Sequence, residues 1–86
     1  MNPFFKAYCY PREGAVSLTE PTECAEISLQ ATPDVLRQVA AFMMNCALRI
    51  EASKSGDIEH FHLQDEWTAW SQTYPDVIVV SPPSEK

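Results

Sequence analysis

Glycine is scarce: Gly14 and Gly56 are the only two in 86 residues, and each stands alone. A phosphate-cradling loop needs clustered glycines ahead of a helix, so nucleotide-binding loops of that kind are excluded. Positive charge is scarce too. Six Lys and Arg against twelve Asp and Glu leave a net charge of −6, which opposes a phosphate backbone and favours a basic partner. Nucleic acid is therefore not an expected partner. The three cysteines, Cys9, Cys24 and Cys46, match no CxxC ligand pair or redox motif, and Cys24 and Cys46 read as small packed thiols. No run reaches the roughly 18 apolar residues that cross a bilayer. The opening MNPFFKAYCYPREG lacks the basic and apolar regions of a secretion signal. A cytoplasmic location without membrane contact is expected.

What is present is apolar enough to fold, at 45% hydrophobic residues. The length allows a single domain, 1–86, whose folded surface should be about 5,100 Å² by size scaling. Residues 4–10, rich in aromatics, read as a strand. Pro11-Arg12-Glu13-Gly14 reads as a turn and residues 15–19 as the returning strand of a hairpin over 4–19. Glu20-Pro21-Thr22 breaks the pattern. From Cys24 to Gln30, Ala25, Ile27 and Leu29 alternate with polar neighbours, which predicts a half-buried strand. This strand opens a β-α-β-α-β body over 24–80, followed by a tail over 81–86.

Thr32-Pro33-Asp34 is a helix start: Thr32 is expected to cap a free N–H, Pro33 suits the first position, and Asp34 favours the positive end of the dipole. The helix should run to Ser53 or Lys54 and stop at a left-handed Gly56. Val35, Leu36, Val39, Ala40, Phe42, Met43, Cys46, Ala47 and Ile50 cover one arc of roughly 160°, taken as the core face. On the opposite face Ala41, Met44 and Leu48 are more apolar than solvation requires and form a candidate homodimer surface. Residues 57–63 alternate again, Phe61 and Leu63 against His60 and His62. A short helix capped by Asp65 is then expected to place Trp67 and Trp70 one turn apart. Val77-Ile78-Val79-Val80 reads as an interior strand. The fold class is α+β: a small sheet of four to five strands packed on one long helix, with a short second helix.

Chemistry is thinly represented. His60-x-His62 puts two imidazoles on one strand face near Asp57 and Asp65, but such a pair is more often structural or a partner contact than a metal site, so no metal or cofactor is expected. No cysteine sits in a strained nucleophile turn, and Asp65 already has a capping role, so an enzyme is not expected. Trp67, Trp70 and Tyr74 suit a core, or else an aromatic anchor in a protein interface. The carboxylates Glu59, Asp65, Glu66 and Asp76 around them would complement a basic protein.

The segment from Ala31-Thr32-Pro33 through the long helix, then EHFHLQDEW, the aromatic stretch and YPDVIVVSP, resembles a family of small immunity proteins from bacterial polymorphic-toxin systems. The resemblance covers about residues 24–82. Its most specific parts are His60-x-His62, Trp70 and the Pro75–Val79 block. It implies a compact cytoplasmic α+β inhibitor that binds a cognate toxin directly and has no chemistry of its own. The family's shared positions fall on His60, His62, Asp65, Trp70, Pro75 and Asp76, whereas the hairpin over 4–19 has no counterpart. The partner-binding residues expected on this basis and from charge are Glu59, His60, His62, Asp65, Glu66, Trp67, Trp70 and Asp76. The competing expectation is a small homodimeric binding or regulatory domain without a toxin partner.

Overall fold

The structure, a computed structural model, describes residues 2–14 and 21–83. Its elements are β1 (Phe5–Pro11), β2 (Cys24–Ala31), α1 (Pro33–Ala52), β3 (His60–His62), α2 (Leu63–Glu66) and β4 (Ile78–Val80). The return strand expected at residues 15–19 lies outside the described residues. β1 pairs antiparallel with β2, from Phe5 opposite Ala31 to Tyr10 opposite Glu26, with a bulge at Tyr10/Pro11 before Pro11 meets Cys24. β3 pairs antiparallel with β4.

These are two separate two-stranded sheets, not the one sheet of four to five strands that the alternation suggested. Only Phe5 and Ala31, at the root of the β1–β2 ribbon, reach the core against which Phe61 of β3 and Val79 of β4 pack, so the rest of the ribbon has no edge beside β3. β3 and β4 have three residues each, and Pro75 and Pro82 close in on β4 from either side.

At the strand–helix junction the Thr32 hydroxyl does not cap α1. It accepts from the Phe4 N–H at 3.2 Å, while the Thr32 N–H donates to the Phe4 carbonyl at 3.0 Å. The helix start is thereby fastened to the root of β1. Pro33 begins α1 and Asp34 faces its positive end, as the residue types favour. The helix ends at extended Ser53, whose N–H reaches the carbonyls of Arg49 and Ile50. Gly56 takes no left-handed conformation, whereas Gly14 does, at φ 81° in the turn that leaves β1.

The buried core is small: Phe5, Val35, Val39, Phe42, Cys46 and Leu63, with Ala31, Phe61, Trp67, Trp70, Tyr74, Val77 and Val79 packed around it. α1 therefore buries one seam, Val35-Val39-Phe42-Cys46, spaced i, i+4, i+7, i+11. The rest of the arc read as core, Leu36, Ala40, Met43 and Ala47, is exposed. Short elements cover only a narrow strip of a helix about 30 Å long. Beyond Phe5 and Ala31, the β1–β2 ribbon stands clear of the core, exposed on both faces. The radius of gyration is 14.7 Å, against about 12 Å for a compact chain of this length. The accessible surface is 6929 Å², about 1,800 Å² more than size scaling gives.

Candidate functional site

α2 is four residues long, Leu63–Glu66, so Asp65 lies inside it rather than capping a longer helix, and Trp67 and Trp70 sit in the turns that follow. The N-terminal capping comes from across the chain. One Asp76 oxygen accepts the Gln64 N–H at 3.0 Å, and the other lies 2.8 Å from His62 Nδ1. A carboxylate can only accept, so Nδ1 carries the hydrogen and His62 donates through it. The Leu63 N–H donates to the Val77 carbonyl at 2.9 Å, which joins the same corner to the start of β4.

The aromatic residues close the turn that precedes β4. Trp67 stacks on Tyr74 at 5.7 Å between centroids, and Tyr74 meets the edge of Phe5 at 6.1 Å. The Trp70 indole N–H donates to the Pro75 carbonyl at 3.2 Å. Glu66 receives the Arg49 guanidinium at 2.7 Å, and that guanidinium also lies 5.2 Å from the Phe61 ring centroid. Glu59 is tied through its backbone: its N–H donates to the Ser81 hydroxyl at 2.8 Å and its carbonyl accepts the Ser81 N–H.

His62, Asp76, Trp67, Trp70 and Glu66 therefore each have partners within the chain, while His60 and Asp65 are exposed. The alternation in β3 turns Phe61 inward against Val79 and sets His60 and His62 outward, opposite Val80 and Ile78. Ile58, Ile78 and Val80 are exposed. The run Val77–Val80 is thus not an interior strand, because β4 lies at an edge with only Val77 and Val79 packed inward. Its apolar residues and His60 form an outward patch that uniform hydrophobicity in the sequence concealed.

The second exposed surface is the ribbon. One face carries Lys6, Tyr8 and Tyr10 opposite Gln30, Ser28 and Glu26. The other carries Ala7 and Cys9 opposite Leu29 and Ile27, running on from the buried Phe5. Tyr10 is 62% exposed and Ile27 68%, so large side chains stand in solvent on both sides. Cys9 and Cys24 form a disulfide across the far end, Cα atoms 5.9 Å apart, and Arg12 pairs with Glu23 just beyond it. Cys24 is thus bridged rather than a packed free thiol. The bridge runs diagonally across the ladder, since Cys9 lies opposite Ile27 and Cys24 opposite Pro11 beyond the bulge, and neither the odd cysteine count nor the alternation of either strand indicates it.

Among the described residues no group of three or more His, Cys, Asp or Glu side chains gathers as a metal-ligand set. A cleft of about 210 Å³ lies between the end of α1 and the start of β3, lined by residues including Ser53, Asp57, Glu59 and Ser81. It is smaller than the roughly 300–1,000 Å³ of small-molecule sites. Cys46, the free thiol, is buried, and burial raises its pKa, with the Glu66 carboxylate adding and Arg49 opposing. The thiol is held protonated at neutral pH, the opposite of an activated nucleophile. Among the described residues no helix is long and apolar enough to cross a membrane. No family model, no curated protein and no solved structure matches this chain.

Proposed function

We propose that this chain is an immunity protein that binds a cognate toxin and blocks it by covering it, with no chemistry of its own. The observation that carries the reading is the β1–β2 ribbon, an arm that leaves the core with both faces exposed. An arm presenting Tyr8 and Tyr10 on one side and Ile27 and Leu29 on the other offers rigid, amphipathic contact area at low entropic penalty. The net charge of −6 favours encounter with a basic toxin. The outward β3–β4 patch with His60, and the exposed Asp65, extend the available surface.

The test is expression of a neighbouring toxin domain with and without this protein, reading growth rescue and co-elution on size exclusion. Rescue with a stable complex is expected, and Tyr10→Ala with Ile27→Ala should weaken the complex while leaving the melting temperature in place. A folded pair that neither rescues nor co-elutes overturns the assignment for that toxin. In the cytoplasm, where we place the protein, thiols are kept reduced, so Cys9 and Cys24 are expected there as a dithiol that oxidises on extraction. Trapping thiols before lysis checks this: a bridge already formed in cells moves the protein to an oxidising compartment.

A further inference from the structure

The exposed side of α1 has a regular composition of its own. Arg37, Ala41, Met44, Leu48 and Glu51 are spaced i, i+4, i+7, i+11, i+14, a second seam on the side away from the core, bordered by Ala40 and Ala47. Met44 is 64% exposed and Leu48 56%. Arg37 and Glu51 are absent from the ion pairs found among the described residues. The seam is apolar in the middle, basic near its first end and acidic near its last.

We propose that α1 pairs along this seam with α1 of a second copy of the chain, antiparallel, about a twofold axis at Met44. Numbering alone makes the seam self-complementary. In an antiparallel pair centred on residue 44, Met44 meets Met44 of the second copy, Ala41 meets Ala47, Ala40 meets Leu48, and Arg37 meets Glu51 at both ends. The two ion pairs would sit about 21 Å apart along the axis, from fourteen residues at 1.5 Å each. A parallel pair would instead oppose Arg37 to Arg37 and Glu51 to Glu51, so the charges select one orientation. Three alanines beside the axis let the helix backbones approach closely, and the methionines fill the space between them.

The pairing does not depend on the proposed inhibitor role, because the seam and the ribbon are different elements.

Charge exchange tests the proposal. Sedimentation of the whole protein at micromolar concentration is expected to show a dimer. Arg37→Glu or Glu51→Arg alone should raise its dissociation constant about tenfold or more, since each places like charges together twice. The double exchange R37E/E51R should restore dimerisation. Both positions are exposed on the helix, so circular dichroism should show all three variants folded, and Met44→Lys provides a second disruption in the apolar centre. A wild-type protein that stays monomeric up to about 100 µM overturns the pairing, that concentration lying well above micromolar affinities. A dimer indifferent to the single reversals, or one that the double exchange fails to restore, overturns the antiparallel register.

Discussion

Replacing Asp76 by alanine removes one carboxylate that serves two donors. The Gln64 N–H, near the start of α2, loses its 3.0 Å acceptor, and His62 Nδ1 loses its 2.8 Å partner. Losing a helix N-terminal acceptor is worth about 1 kcal/mol. The hydrogen bond to His62 adds about 1 kcal/mol more, discounted because the His62 side chain is 37% exposed and water can replace part of it. The expected loss is therefore about 1.5 kcal/mol, a sizeable share of the roughly 4–13 kcal/mol that a chain of this length holds. At about 4–8 °C per kcal/mol the melting temperature should fall by about 6–12 °C. Asp76→Asn should lose less than half of that. Its amide oxygen still accepts from Gln64, and its amide N–H can donate to the other tautomer of His62. Thermal denaturation followed by circular dichroism reads all three proteins. An alanine variant melting within about 2 °C of wild type would refute the assignment of Asp76 as the clasp between α2 and β4, since measured shifts of that size fall below one kcal/mol. Partner binding kept by asparagine and lost by alanine would show that Asp76 acts by holding the corner in place.

Reducing the Cys9–Cys24 bridge, which closes a separation of 15 residues, should loosen the far end of the ribbon by up to about 3 kcal/mol. Limited proteolysis is expected to cut faster at the described far end of the ribbon, around Tyr10–Arg12 and Glu23–Cys24, while the helical signal of α1 stays unchanged. Because burial raises the Cys46 thiol above its ordinary 9.0, stability is full below that pH, where both states are protonated. It should decline as pH rises from there toward the native value, because the unfolded chain ionises first. Urea midpoints from about pH 7 to about pH 10.5 read the slope, and Cys46→Ala should flatten it. Trp70→Phe keeps an aromatic side chain but replaces the indole by a smaller ring and loses the 3.2 Å donation to the Pro75 carbonyl, so the melting temperature should drop by at least about 4–8 °C, the share of the hydrogen bond alone.

The local grammar of the chain was legible where a residue type has one use. Pro33 marked the start of α1, which the structure places at Pro33–Ala52, and the alternation around Phe61 set which side of β3 turns inward. What pairs with what was not legible. Phe5 to Pro11 finds its partner in Cys24–Ala31, beyond the nearest candidate segment, because register depends on a bulge and a cross-strand pattern that no single strand records. The width of the helix core was overstated for a related reason. Periodicity shows that Leu36 and Met43 are apolar, but only the amount of neighbouring structure decides whether they are covered. Asp65 looked like a cap because caps are normally local, whereas Asp76 serves α2 from ten residues past its end.

The ribbon's separation from the core has an evolutionary consequence. A substitution at Tyr8, Tyr10, Ile27 or Leu29 opens no cavity and strands no buried polar group, because those side chains already face solvent. The arm can therefore drift in sequence without pushing a marginal fold below its threshold, whereas Phe42 or Val35 cannot. Selection for a new partner and selection for folding act on different residues, so relatives of this chain should diverge fastest along β1 and β2 while keeping the seam of α1 that packs beneath Leu63.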